Sequence, residues 1–305
     1  DPLWSRGLGD VYKRQVLIGI GLYCRKHATD VNGFVLGGRS VGPWLTAFAY
    51  GTSYFSAVVF VGYAGQFGWK YGIAATWAGI GNAIIGSLLA WVVLGRRTRI
   101  MSQHLDSATM PQYFGKRFGS NPLKIGASVI IFIFLIPYTA SLYNGLSRLF
   151  GMAFNIDYSV CIIIMATLTA IYVIAGGYMA TAINDFIQGI IMLFGIVAVI
   201  AAVIHSKGGF MSALQGLANV SDPAVSDTPG IFASFFGPDP FNLLCVVILT
   251  SLGTWGLPQM VQKFYAIDNE ASIQKGTIIS TIFALIVSGG CYFLGAVSYT
   301  HLRAH

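Results

Sequence analysis

Charge is what this chain has least of. Only 10% of its 305 residues are Asp, Glu, Lys or Arg, against about 25% in a soluble domain. Hydrophobic residues make up 55%, and the mean hydropathy is +0.69. Such a chain cannot clothe a soluble surface, so an all-α polytopic membrane protein in a lipid bilayer is expected. Acids are scarcer than bases, 11 against 18, for a net charge of +7. That excess does not point to nucleic acid, because the Lys and Arg sit in particular loops and leave no basic face. No His lies in a charge-free run: His27, His104 and His205 fall at run boundaries. A histidine proton relay and a metal site, other than for sodium, are therefore not expected. Cys24, Cys161, Cys245 and Cys291 all lie in apolar runs, which fits packed thiols rather than a disulfide framework. A membrane enzyme would need His, Asp, Cys or Ser groups converging at one depth. No such set is visible, so no enzymatic activity is expected, and nothing implies a protein partner.

What is present is a series of apolar runs, charge-free but for Asp185 in the sixth, at 16–24, 44–66, 72–94, 125–147, 158–176, 182–204, 241–260 and 276–297. The first is a nine-residue stub, about 14 Å as helix, where a bilayer core needs about 30 Å. The other seven are long enough to span. Pro137 lies inside the run at 125–147 and should kink it. Gly176-Gly177 reads as a tight turn between two spans. Residues 206–240 contain Pro223, Pro229, Pro238 and Pro240 and read as a loop with at most a short helix near Phe210 to Leu217.

Orientation follows from Lys and Arg in alternate loops. One set holds Arg25, Lys26, Arg39, Arg96, Arg97, Arg99, Lys116, Arg117, Lys124, Lys263 and Lys275, and the other only Lys70, Arg148 and Lys207. Eleven against three places loops 25–43, 95–124 and 261–275 in the cytoplasm and the amino end of the stub outside.

Within the run at 44–66, Gly51-Thr52-Ser53-Tyr54-Phe55-Ser56-Ala57 is a poor helix at the expected mid-depth. It reads either as a continuous helix packed closely through small residues or as a break whose carbonyls can hold a cation. Asp185 is the only acid well inside an apolar run; it is either functional or a first-turn acid favoured by the helix dipole. Tyr138 follows Pro137 and is either a cavity phenol or an aromatic packed on the kink. Thr250 and Thr254 are one helical turn apart and should share a face; their hydroxyls either line a site or bond the preceding turn's carbonyls.

The ends differ in character. Asp10–Gln15 and Ser298–His305 resemble translated sequencing-adapter DNA, with a natural exposed tail as the alternative. Residues 1–15 and 298–305 are therefore set aside as non-native tails, and 16–297 are read as one transmembrane domain.

Four stretches carry a family resemblance. Leu36-Gly37-Gly38-Arg39-Ser40-Val41-Gly42-Pro43 resembles LGGRS-x-G-P, and Thr109–Phe118 resembles T-L-P-x-Y-F-x-x-R-F. Gly176-Gly177-Tyr178-Met179-Ala180 with Asp185 and Gln188 resembles GG-[FY]-x-A followed by D-x-x-Q. Gly256-Leu257-Pro258-Gln259 with Lys263-Phe264 resembles G-x-P-[HQ]-x-x-x-[RK]-F. In this order and spacing, over roughly residues 16–298, they resemble the sodium/solute symporter family, its bacterial proline and pantothenate branches above all.

The resemblance implies an inverted-repeat, five-plus-five-helix secondary transporter. Its first repeat would span 44–204; its second begins at 241 and stops after two helices, so the fold would be incomplete at both ends. It implies Na+ as coupling ion, held by the backbone carbonyls of Thr52 and Phe55, with Asp185 on the inward path and further ligands on a later helix. It implies a small organic solute of amino acid, pantothenate or monocarboxylate class, contacted by Ser56, Tyr138, Thr250, Thr254 and Pro258. Three positions depart from the proline branch: Tyr54 stands where that branch has an aspartate, and Thr250 and Thr254 where it has aromatic residues. A symporter-like sensor domain of a histidine kinase is the alternative function.

The orientation is testable with single cysteines replacing Arg97, Lys116, Lys207 and Asp227 in a background without native cysteines. In intact cells an impermeant thiol reagent should label positions 207 and 227 and spare 97 and 116. The reverse pattern would invert the topology.

Overall fold

The computed structural model describes residues 19–21, 23–24, 30–55, 58–220, 225–226 and 228–302. Among them there is no strand, only isolated bridge residues such as the parallel pair Val41 and Ile267. The helices, in chain order, are α1 (Val31–Leu36), α2 (Pro43–Tyr54), α3 (Ala64–Tyr71), α4 (Thr76–Gly81), α5 (Arg96–His104), α6 (Met110–Phe118), α7 (Asn121–Phe154), α8 (Tyr158–Ser206), α9 (Phe210–Ala218), α10 (Pro240–Leu252), α11 (Pro258–Ala266) and α12 (Glu270–Leu302). π-helical stretches cover Val58–Tyr63, Asn82–Leu89 and Trp91–Gly95. Local chemistry sets several starts: Asp30, Thr109, Ser120 and Asp239 each accept a backbone N–H of the first turn, satisfying a donor the helix cannot.

The expected spans map onto these elements with two regroupings. At 49 residues α8 would be about 74 Å long if straight, more than twice a hydrocarbon core. It is broken at Gly177, whose φ of 56° and ψ of −149° are non-helical. A Cβ there would lie 2.8 Å from the Phe34 carbonyl oxygen, so only glycine fits the turn. Thus α8 carries two of the apolar runs. Conversely, the run at 44–66 is divided: α2 stops at Tyr54 and Phe55 is a bend, which favours the broken-helix reading over the continuous one. Pro137 lies within α7, which is helical throughout. The short helix in the Pro-rich connection is α9.

By length and composition, four helical stretches among the described residues can cross a membrane: Ala64–His104, Asn121–Gly151, Tyr158–Ser206 and Glu270–Ser298. A bent pair, Pro240–Gly256 with Pro258–Ala266, adds a fifth, turning by 53° at its break. On α7, Ile125, Val129, Ile130, Phe132, Ile133, Phe134 and Ile136 are exposed. Water would not tolerate such a band, whereas lipid solvates it.

The contacts sort the chain into two compact units. The first comprises 1–50, 95–188 and 261–276, the second 51–94, 189–260 and 277–305. Several boundaries fall inside helices, so the units are not successive domains along the chain. In the first unit, Leu36, Val41, Ala108, Tyr178, Ala182, Val261, Tyr265 and Ala266 form one buried cluster, edged by Met110, Tyr113 and Met179. All four motif stretches, or their immediate neighbours, contribute to it. In the second unit, Leu217, Phe232 and Ala296 form a smaller cluster, and Phe67 stacks on the fully buried Tyr292 with ring centroids 6.2 Å apart.

Candidate functional site

Polar side chains in the second unit gather around Asn82, at the start of a π-helical stretch and 1% exposed. Its Oδ1 accepts from Tyr54 Oη at 3.2 Å, Thr250 Oγ1 at 3.1 Å and Ser251 Oγ at 3.1 Å. Its Nδ2 lies 3.5 Å from Ser288 Oγ. A carbonyl oxygen has two lone pairs, so three donors cannot all be served at once. Tyr54 Oη also donates to the Thr250 carbonyl at 3.0 Å, and Thr250 Oγ1 to the Val246 carbonyl at 2.9 Å. Tyr292 is fully buried, and its hydroxyl makes no hydrogen bond of ordinary geometry. Gly86 makes room for this arrangement: a Cβ there would lie 1.9 Å from Tyr54 Oη.

The cluster stands where two helices stop. α2 ends at Tyr54, and α10 passes at Leu252 into a 3-10 turn, Gly253–Gly256. Leu257 is extended, and Pro258 then opens α11, where a missing N–H costs nothing. Trp255 Nε1 donates to the Ile85 carbonyl at 3.0 Å and fixes the turn. Past Leu252 the chain tightens to about three residues per turn. Thr254 Oγ1 donates to the Ser251 carbonyl at 2.9 Å, the ordinary bond to the preceding turn. Thr250 both bonds its preceding turn and joins the Asn82 cluster. Ser56 lies outside the described residues. Among the described residues no three His, Cys, Asp or Glu side chains are placed to hold a metal ion; the cluster offers neutral oxygens and amide hydrogens, suited to a small polar solute or a hard monovalent cation.

The first unit holds the charged groups. Asp185 Oδ2 lies 3.8 Å from Lys263 Nζ, with the two side chains 23% and 8% exposed. That separation is Coulombic rather than a hydrogen bond. At an effective dielectric of about 20 it is worth roughly 4 kcal/mol, set against a desolvation cost of several kcal/mol for each ion. Lys263 Nζ also sits 5.0 Å from the centre of the Tyr178 ring, a cation–π distance. Gln188 of the same motif does not reach Asp185; its Nε2 donates to Asn184 Oδ1 at 3.1 Å. Asp185 stands about two turns beyond the Gly177 break, past the first turn where a helix dipole acts. The dipole alternative therefore loses its basis. Lys263, counted from sequence among the cytoplasmic loop charges, is a buried partner instead.

Two arginines organise the surrounding turns. Arg39 donates to the Ser107 carbonyl at 2.8 Å and to the Ser102 carbonyl and hydroxyl at 3.4 and 3.3 Å. Burial lowers its pKa from the usual guanidinium value and Asp106 opposes that shift; the side chain remains a cation. Arg99 donates to the Ile267 carbonyl at 2.8 Å and to the Asp268 carbonyl. Val41 pairs with the same turn through Val41 N to the Ala266 carbonyl, 3.2 Å, and Asp268 N to the Val41 carbonyl, 3.0 Å.

Of the sequence-derived solute residues, Tyr138 is half-buried on α7, and its carbonyl accepts Ser141 Oγ at 2.7 Å. Pro258 is half-buried at the start of α11. Sequence reasoning missed Asn82, and it took Tyr54 only as a departure from the proline branch. A lone amide inside an apolar run was the available signal for Asn82.

A model of the sodium:solute symporter family matches residues 34–303. The osmoregulated proline transporter of Bacillus subtilis (strain 168) is 30% identical over 287 residues, 92% of this chain and 56% of that protein. The sodium/proline symporter of Staphylococcus aureus (strain JH9) is 32% identical over 304 residues, 95% of this chain and 55% of that protein. The chain thus spans about half the length of the curated relatives it matches. A solved structure of a Na+-coupled sialic acid symporter, substrate-bound and outward-open, aligns with a TM-score of 0.73 at 17% identity, over 95% of this chain and 59% of that one. That likeness shows the fold.

The Asn82–Ser251 contact can be measured with a double-mutant cycle on thermal stability in detergent. Asn82→Ala leaves buried hydroxyls unsatisfied, at about 1–3 kcal/mol each. Asn82→Ala and Ser251→Ala together should cost less than their sum, by at least ~0.5 kcal/mol. Additive losses would mean the two side chains do not depend on each other.

Proposed function

The chain belongs to the sodium:solute symporter family, a family of multi-pass membrane transporters, and on that premise we propose that it couples inward sodium flow to uptake of a small organic solute. The observation that carries this reading is the meeting of two interrupted helices. α2 and α10 stop within apolar surroundings, and the Tyr54 hydroxyl of one bonds the Thr250 carbonyl of the other at 3.0 Å. Interrupted helices in a membrane are tolerated where they are buried or line a cavity, and transporters use such breaks for ions and solutes.

Sodium is assigned to the backbone carbonyls of Thr52 and Phe55, in the last turn of α2 and at the bend that follows. These are the positions where a stopping helix presents carbonyl oxygens. Asp185 is assigned to the ion's inward path. The solute is assigned to the α10–α11 break, with Thr250, Thr254 and Pro258, joined by Ser56 and Tyr138. Its class is an amino acid, pantothenate or a monocarboxylate. The proline transporters among the relatives support an amino acid, while threonines in place of that branch's aromatic residues favour a more polar solute than proline. The transport names of the relatives favour transport over a kinase-linked sensor. Even without the buried Lys263, the ten-to-three asymmetry of Lys and Arg supports cytoplasmic loops at 25–43, 95–124 and 261–275.

The test, in a full-length parent that contains this chain, is uptake of a panel of labelled solutes into proteoliposomes under an inward sodium gradient. One member of the amino acid, pantothenate or monocarboxylate classes should accumulate and cease to do so when the gradient is dissipated. Tyr138→Phe should raise its half-saturating concentration by about 2- to 13-fold, the worth of one lost neutral hydrogen bond. Uptake indifferent to sodium would end the proposal, and an unchanged half-saturation would return Tyr138 to a packing role.

A further inference from the structure

We propose that Lys263 is a built-in cation for Asp185, its ammonium standing where a sodium ion would sit against this carboxylate and withdrawing when sodium arrives. The inference rests on the reading that Asp185 faces the sodium path, and it adds the group that competes with the ion.

Four observations support it. Lys263 is 6% exposed, and a lysine is seldom buried so fully without a carboxylate to balance it. The pair is close enough for strong attraction, yet at 3.8 Å it is too long for a charge-assisted hydrogen bond. The ammonium is thus held by charge and by the face of Tyr178, 5.0 Å away, without directional bonds that would lock it. Asp185 keeps acceptor capacity in reserve: a carboxylate has about four lone-pair sites. Its neighbours Asn184 and Gln188 bond each other. Finally, the hydroxyl of Tyr178, whose ring faces Lys263, is buried without a hydrogen-bond partner.

Such a place suits one monovalent cation at a time. With the ammonium in place the carboxylate is neutralised and sodium has little reason to enter. With the ammonium withdrawn, a bare carboxylate in low dielectric is costly, and sodium with its remaining water is the natural replacement. Lysine can make this exchange because its charge is compact and its stem flexible. Lys263 lies in the last turn of α11, where the helix dipole favours a cation and gives the withdrawn ammonium a resting place.

The experiment uses the purified full chain without solute. Thermal stability is followed as sodium replaces choline at constant ionic strength, for the parent, Lys263→Gln, Asp185→Asn, the double variant and Lys263→Arg. Lys263→Gln should bind sodium more tightly than the parent, by roughly 5- to 150-fold, the usual range for coupling between linked ligands. Asp185→Asn and the double variant should show no such gain. Lys263→Arg, whose planar fork grips a carboxylate through two bonds, should need more sodium than the parent. It keeps the question open to test even if Lys263→Gln does not fold. A folded Lys263→Gln protein with the parent's sodium response would overturn the proposal, as would a gain that survives in the double variant or an unchanged response in Lys263→Arg. Sodium-driven uptake by the parent is scored separately, so the wider transport reading can stand if this inference falls.

Discussion

The hydrogen bond from Tyr54 to the Thr250 carbonyl answers the constraint on which the second unit depends. In an apolar interior, polar backbone groups must be paired within the protein, yet α2 and α10 both stop there. A helix that stops there needs partners for its last carbonyls. Tyr54 covers one of them, Trp255 fixes the turn by bonding Ile85, and Asn82 gathers the hydroxyls of Tyr54, Thr250 and Ser251. Gly86 is part of the same solution, since any side chain there would occupy the place of the Tyr54 hydroxyl. These bonds hold the interruption together and are weak enough individually, about 0.5–1.5 kcal/mol each, to be exchanged for bonds to a solute.

The first unit explains why the four motif stretches look as they do. They are scattered over more than two hundred residues, yet Leu36, Val41, Ala108, Tyr178, Val261 and Tyr265 pack in one cluster. Arg39 and Arg99 spend their donors on backbone carbonyls of turns, not on acids of the motifs. These residues therefore fix loop geometry around Asp185 and Lys263. The motifs that reveal the family are chiefly the scaffold of a buried ion pair.

Much of this was legible beforehand. Apolar runs of 19 to 23 residues marked the spans because charge cannot be hidden in lipid. Gly176-Gly177 marked the break in α8 because only glycine accepts a positive φ under the Phe34 carbonyl. The weak helix former at 51–57 marked the end of α2. What could not be read were pairings between distant residues. Nothing near Lys263 in sequence distinguishes a loop charge from a buried one; its partner is Asp185, 78 positions earlier. Asn82 is one amide in an apolar run, and only the fold brings Ser251 and Tyr54 to it. Nor did α-helical spacing reveal that the chain tightens to a 3-10 turn past Leu252.

In a symporter, ion and solute must each favour the same conformation, so that each raises the other's affinity by the same factor. The central claim is that the paired breaks of α2 and α10 are where that conformation is made. The most direct measurement is the rate at which a thiol reagent modifies a cysteine replacing Thr254, in the protein without its four native cysteines. The rate is compared with neither ligand, sodium alone, solute alone and both. The account expects strong slowing only with both present. One rate under all four conditions would show that the break takes no part in binding, and would contradict it.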